Sequence, residues 1–242
     1  MVIVPTRGRK KQCEKLLASY DATADFADMT FILDPDDVDT YEGLDWKDTQ
    51  RGILDPRGTL SAKLNHAADM FKGKYDALMF VADDHVFKTD GWDTIMMETL
   101  KGMGGTGMVY PDDKRRNDVP EAILISSDVV EVLGHFAEPS LKHYYLDNAW
   151  ADVGNGAGML KWCPDAVIPH EHYTMTPGAE RDKIYSETEE KYGDVDREAF
   201  LKWRSTRLAS EVAQLRRAFN RDLDWILGKV LCGLCHGAGD CR

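Results

Sequence analysis

Apolar and polar positions alternate between two rhythms along the first part of the chain. Val2 to Val4 is a short β-branched run ended by Pro5, and Met29 to Leu33 is a second apolar run. The second stops at Asp34-Pro35-Asp36-Asp37, a cluster of turn formers. Ala77 to Ala82 is continuously apolar, as a buried central strand requires. Between these strands the period changes. Arg9 to Tyr20 puts Leu16, Leu17 and Tyr20 on one side, and Leu60, Leu64, Ala67, Ala68 and Phe71 recur at helical spacing, with Thr59 or Ser61 near the start as a cap. Strand–helix–strand order of this kind predicts an α/β fold with a mainly parallel sheet covered by helices. In open sheets of that class, ligands gather at the carboxyl ends of the strands, where three polar clusters of this chain fall.

The middle reads as short strands at Met108-Val109-Tyr110, Ala122 to Ile125, Met159 to Trp162 and Ala166 to Ile168. Short helices are expected at Ser127 to Leu133, capped by Ser126 or Ser127, and at Asp147 to Asp152. From Ala179 the character changes. Leu201, Leu208, Val212, Leu215, Phe219, Leu223, Ile226 and Val230 recur as one apolar stripe on a long helix, with Lys202, Arg204, Arg207, Arg216, Arg217 and Arg221 mainly off it. The expected division is a sheet domain over 1–175, a helical extension over 176–231 and a Cys/Gly-rich tail over 232–242.

Composition narrows the function classes. With 43% hydrophobic and 30% charged residues among 242, the chain is an ordinary globular protein with one good core. A net charge of −12 argues against nucleic-acid binding by the whole surface. Residues 200–242 nevertheless carry eight Lys/Arg against four Asp/Glu, a local +4 that leaves −16 on residues 1–199. A basic helix lying against an acidic body explains this, and so does an anionic partner docked by that segment. No apolar run reaches the ~18–20 residues of a membrane span, and Met1 to Pro5 has no basic leader, so the expected location is cytoplasmic. Five cysteines argue against a disulfide framework; Cys13 and Cys163 fall in apolar stretches. Cys232, Cys235, His236 and Cys241 have a spacing that can hold a structural Zn²⁺.

The sharpest chemical feature is Asp83-Asp84-His85 at the end of the central apolar run. Adjacent carboxylates there are costly unless something positive meets them. A hard divalent ion satisfies them, and a nucleotide diphosphate completes its shell. Solvated loop aspartates are the plain alternative.

Val2-Ile3-Val4-Pro5-Thr6-Arg7-Gly8-Arg9 resembles the opening of family 2-like glycosyltransferases of the GT-A fold, where the loop after the first strand contacts the nucleotide. Asp34 matches the acid that reads the base there. Gly58 to Asn65, with Lys63 and Asn65, resembles the helix beside the nucleotide, and Phe80 to His85 resembles the metal-binding Asp-x-Asp segment, followed by Gly91-Trp92-Asp93. The match covers roughly residues 1–175 and rests on the order and spacing of loose motifs. It implies a Rossmann-like, mixed and mainly parallel sheet with a C-terminal helical extension, a donor half at 1–105 and an acceptor half at 106–175. It also implies a sugar nucleotide, UDP-sugar by default, and Mn²⁺ or Mg²⁺. Pro5, Thr6, Arg7, Arg9, Asp34, Lys63, Asn65 and Asp83 become donor-binding candidates.

The third position of the Asp-x-Asp segment is His85 here. Either Asp84 contacts the metal with Asp83 near the ribose, or His85 supplies a nitrogen, which suits Mn²⁺ better than Mg²⁺. The family keeps a late His at the metal or diphosphate. His170-Glu171-His172 offers two, His170 preferred, which a strand would turn to one side; a solvated edge strand is the alternative. Inverting members keep a carboxylate base where Asp147 falls, although an N-cap would also explain Asp147, and Asp152 is its substitute. Arg7, Lys63 and Arg181 are expected at the phosphates, and 174–181 as a lid.

The resulting expectation is a metal-dependent, inverting glycosyltransferase acting on an acceptor hydroxyl. A glycan or small carbohydrate is the default acceptor; a hydroxylated DNA base or a protein hydroxyl is also open. The alternatives are a nucleotidyltransferase of related fold and a non-catalytic nucleotide-sugar-binding module.

Overall fold

The computed structural model describes residues 1–44, 50–53 (backbone only), 58–173 and 183–220. Among these residues seven strands, β1 (Val2–Pro5), β2 (Met29–Leu33), β3 (Gln50–Ile53), β4 (Ala77–Phe80), β5 (Met108–Asp112), β6 (Ile123–Ser126) and β7 (Leu160–Val167), form one sheet. Its order is β3-β2-β1-β4-β6-β5-β7. β1 runs parallel to β2 and β4, β2 to β3, and β5 to β7, while β6 is antiparallel to both neighbours. The sheet is therefore mixed with a single reversed strand, in the Rossmann-like α/β class expected from the helix–strand rhythm.

Among the described residues seven α-helices cover it: α1 (Lys10–Thr23), α2 (Leu60–Phe71), α3 (Trp92–Gly102), α4 (Ser127–Leu133), α5 (Leu146–Ala157), α6 (Lys183–Thr206) and α7 (Leu208–Ala218). Alternation along the strands builds two cores. Ile3, Leu78, Phe80, Ile123 and Ile125 pack with Leu64 and Phe71 of α2, Trp150 of α5, and Phe200, Trp203 and Leu215 of α6 and α7. On the opposite face Val2, Val4, Phe31, Leu33 and Met79 pack with Leu16 of α1 and Trp92 and Met96 of α3. Thr59 caps α2, accepting from the Ala62 amide, as its hydroxyl allows.

Several expectations need correction. β3 was not foreseen: it has no apolar run, and as an edge strand it pairs with β2 alone among the described residues. The two pieces expected at 159–168 are one strand, β7, which tolerates Pro164 at the other sheet edge. The single long C-terminal helix is two helices meeting at Arg207. Leu201 is 53% exposed, whereas Phe200 and Trp203 are buried, so α6 turns a different stripe inward than the simple repeat suggested. Leu223, Ile226 and Val230 lie outside the described residues. Asp147 is not the N-cap of α5: that position is Tyr145, at φ 64°.

Two buried carboxylates fasten loops to helices. Asp93 of α3 accepts from the amides of Asp25, Phe26 and Ala27, and Asp196 of α6 accepts from those of Lys142, His143 and Tyr144. Among the described residues no helix is long and apolar enough to cross a membrane.

Gly107 leads into β5 at φ +148°, and a Cβ there would stand 2.9 Å from the Met159 carbonyl oxygen. Gly107→Ala is therefore expected to cost about 1–3 kcal/mol, measurable as a lowered denaturation midpoint with unchanged secondary structure.

Candidate functional site

The chain leaves β1 and turns through α1 to β2, then returns to place β4 on the other side of β1. This reversal makes the carboxyl ends of β1 and β4 the point where a crevice opens. Thr6, Arg7 and Arg9 follow β1, Asp34 follows β2, and Asp83 to His85 follow β4.

Thr6 donates its hydroxyl to Asp83 Oδ2 at 2.7 Å, and lies 3.0 Å from the Tyr41 hydroxyl. Arg9 Nη1 is 3.0 Å from Asp83 Oδ1 and 3.9 Å from Asp84 Oδ2. Burial pushes the Asp83 carboxyl up, while Arg9 opposes the shift. Arg7 points elsewhere, 3.0 Å from Asp34 and bidentate on Asp36 at 2.7 and 2.8 Å. Lys63 Nζ is 2.8 Å from the other oxygen of Asp34, so two cations, one from the loop after β1 and one from α2, share one buried acid. Gly8 adopts φ +65°, donates its amide to Asp37 Oδ2 at 2.6 Å, and would put a Cβ 3.0 Å from Ile184 Cδ1 at the start of α6.

Asp84 is the centre of a second cluster. His170 Nε2 is 3.0 Å from Asp84 Oδ1, off the hydrogen-bonding axis, and His170 Nδ1 is 2.6 Å from Glu121 Oε2. Glu121 is itself paired with Arg115 at 2.6 Å. The His85 and His170 rings stack at 4.3 Å, where the backbone forms an isolated antiparallel bridge. The Tyr185 hydroxyl of α6 donates to Asp84 Oδ2, and the Arg9 guanidinium lies 4.2 Å over the Tyr185 ring.

These residues fit a divalent ion. One ligand atom each from Asp84, His85 and His170 lies within 4.8 Å of the others. Asp84 Oδ1 and both His85 ring nitrogens are buried without a hydrogen-bond partner among the described residues. Burial, with His170 nearby, lowers the His85 imidazole to about 3, so it stays neutral with a lone pair to offer. His170 differs. Burial opposes its charge, but Asp84 and Glu121 outweigh burial and hold it at about 9.

That raised value predicts a pH dependence. A cation favoured by the folded state contributes its full stability below the unfolded value near 6.5 and loses it as pH rises through about 9. Chelator-treated protein is expected to lose on the order of 2 kcal/mol of unfolding free energy between those limits. Denaturant titrations at pH 6.5 and 9.5 check this, and His170→Gln should flatten the difference.

The other expected residues are distributed as follows. Pro5 ends β1. Asn65 accepts from the Phe136 and Ala137 amides and donates to the Ala137 carbonyl, so its side chain fastens that loop. The His172 ring is 5.4 Å from that of His170 and packs on Tyr185; His172 is not in the group of three. Asp147 lies in the first turn of α5, where burial pushes its carboxyl up and the charge of Glu121 adds to the effect. Asp152 is paired with Arg204 of α6 at 2.9 Å. Arg181, 174–180 and the tail with Cys232, Cys235, His236 and Cys241 lie outside the described residues.

Glu121, Arg115 and Tyr185 were not foreseen. A lone Glu ahead of β6 carries no periodic signal, and Tyr185 meets Asp84 across 101 positions of sequence.

This arrangement of sheet and crevice is the GT-A fold. No family model matches the sequence, and no curated protein matches it. Solved structures do match in fold. Glucosyl-3-phosphoglycerate synthase from Mycobacterium tuberculosis, in complex with Mn²⁺, UDP and phosphoglyceric acid, superposes with a TM-score of 0.58 at 11% identity over 87% of this chain and 77% of that one. The mannosyltransferase PcManGT from Pyrobaculum calidifontis, in complex with GDP-Man and Mn²⁺, gives 0.54 at 13% identity over 97% and 79%. TarS 1-349 from S. aureus, in complex with UDP, gives 0.50 at 12% identity over 69% of this chain; the match spans 58% of the TarS fragment.

Proposed function

We propose that this chain is a metal-dependent glycosyltransferase that moves a sugar from a nucleoside diphosphate to an acceptor hydroxyl with inversion. The observation that carries the reading is the Asp84, His85 and His170 group, with the two buried His85 ring nitrogens that have no hydrogen-bond partner among the described residues, at the strand reversal between β1 and β4. An ion bound there neutralises negative charge on the diphosphate. Asp84 offers Oδ1 to it while Tyr185 holds Oδ2. Arg9, already beside both acids, supplies positive charge to phosphate oxygens, and Asp83 orients Arg9 and Thr6. Arg7, Lys63 and Asp34 form the polar wall for the nucleoside. Asp147 takes the acceptor proton, and its raised carboxyl is a stronger base than an ordinary Asp.

UDP is the first nucleotide to test, because the fold neighbours include proteins in complex with UDP as well as GDP-Man. A carbohydrate acceptor is favoured over DNA by the basic helices: Arg204 pairs with Asp152, Arg207 with Glu138 and Glu211, and Arg216 donates to the Gly156 carbonyl. These three cations are engaged by groups of the protein itself.

A thermal-shift screen of sugar nucleotides with and without Mn²⁺ tests the proposal, since a donor that binds the native state raises the melting temperature. A donor found this way should release free nucleoside diphosphate on adding acceptor. Pyrophosphate would indicate a nucleotidyltransferase, and binding without turnover against any acceptor a non-catalytic module.

A further inference from the structure

A second cluster of ligand-type side chains lies away from the strand reversal, where the loop after α4 meets α7. His135 follows Gly134, the left-handed residue that ends α4; Glu138 lies three residues on, and Glu211 belongs to α7. One ligand atom from each falls within 4.8 Å of the others. His135 Nε2 is 3.9 Å from Glu138 Oε2 and 3.9 Å from Glu211 Oε1. Those gaps are too long for hydrogen bonds. They are close to the separation of two ligands sharing one ion, about 3.3 Å when metal–ligand bonds are roughly 2.0–2.1 Å. Contraction of each gap by about 0.6 Å closes the difference.

The burial of unsatisfied atoms points independently to a ligand. Both ring nitrogens of His135 and Glu138 Oε2 are buried without a hydrogen-bond partner, and the Glu138 side chain is 1% exposed. Such atoms are costly to leave unmatched. The carboxylates are oriented by further partners, which engage Glu138 Oε1 and both oxygens of Glu211, including the Oε1 nearest His135. Arg207 donates to Glu138 Oε1 at 3.0 Å and to Glu211 Oε1 at 2.8 Å, the Ser140 amide donates to Glu138 Oε1, and the Trp203 indole lies 3.3 Å from both Glu211 oxygens. Outer partners of this kind fix ligating carboxylates in place.

We infer that His135, Glu138 and Glu211 bind a divalent transition-metal ion that fastens α7 to the loop after α4. One imidazole nitrogen with two carboxylates selects ions of the Zn²⁺, Co²⁺ and Mn²⁺ class over Mg²⁺ or Ca²⁺, which take oxygen alone. The site is structural: it joins a loop that Asn65 also holds to the last described helix, and it is independent of sugar-nucleotide binding.

The test uses the purified full chain, reduced and stripped with chelator, then titrated with Co²⁺. Wild type should bind one equivalent more than His135→Gln and one more than Glu211→Gln, whereas Asp84→Asn should keep that equivalent. Zn²⁺ at a hundredfold excess over its dissociation constant should raise the melting temperature of wild type by roughly 5–10 °C. The rise should shrink in the His135 and Glu211 variants but persist in Asp84→Asn. Zinc X-ray absorption on wild type should show a nitrogen- and oxygen-ligated component, a reading that holds even where a variant fails to fold. Equal Co²⁺ stoichiometry in wild type and both variants would overturn the inference, as would zinc ligated only by sulfur. Loss of the equivalent in Asp84→Asn alone would assign it to the strand-reversal site and equally overturn it. Failure of sugar-nucleotide binding leaves each of these readings unchanged.

Discussion

Asp84→Asn is expected to remove the Mn²⁺-dependent part of any sugar-nucleotide thermal shift and to lower transfer about 10³-fold, the scale of losing one preorganised electrostatic contact. The substitution keeps the shape of the side chain and an oxygen that can still accept from Tyr185, so the local packing survives. What disappears is the negative charge that faces His85, His170 and Arg9. Without it His170 loses one of the two carboxylates that hold it protonated. The pH dependence of chelator-treated protein should therefore weaken in the same variant. Isothermal titration with Mn²⁺ and a steady-state transfer assay read the two effects separately. Full turnover by Asp84→Asn in excess chelator would overturn the metal-dependent reading.

The second large effect is expected from Asp147→Asn. An amide of the same size cannot take a proton, and a positioned carboxylate base contributes typically 10²–10⁴-fold. The loss should fall on kcat while the donor-induced thermal shift stays intact, because Asp147 belongs to α5 and not to the loops after β1 and β4. Its carboxyl is pushed up by burial, and neighbouring Glu121 reinforces that. A rate that climbs with pH through a value above the ordinary Asp range would carry the same signature. Should Asp152→Asn abolish transfer and Asp147→Asn spare it, the base is Asp152, which pairs with Arg204 instead.

The first half of the sheet was legible because its signals are local. Val2 to Val4, Met29 to Leu33 and Ala77 to Ala82 are apolar runs that end where the strands end or within two residues, and Leu60 to Phe71 shows its helical period and its Thr59 cap directly. Asp83 and Asp84 stood out because two acids beside a buried strand need a partner, and His170 because it follows an apolar stretch. The edges of the sheet were less legible. β3 is polar because only one neighbour pairs with it, and β7 hides a Pro that a central strand would exclude. The helical region misled for a different reason. Leu201, Leu208 and Leu215 are spaced seven apart, yet a break at Arg207 changes the phase, so Phe200 and Trp203 face inward. Glu121 and Tyr185 act through partners 49 and 101 positions away, and such pairs leave no mark in a single sequence.

The Asp196 clamp has a consequence for the order in which the molecule matures. The backbone from Lys142 to Tyr144 leads into the helix that carries Asp147, and Asp196, which accepts its amides, lies 54 positions beyond Lys142. As the polypeptide emerges from the ribosome, Thr6, Arg9, Asp83 and Asp84 can assemble before that acid has been synthesised. The segment that leads into α5 must wait for it. A nascent chain stalled between Tyr185 and Asp196 would therefore have the loops after β1 and β4 in order while the entrance to α5 still lacked its anchor.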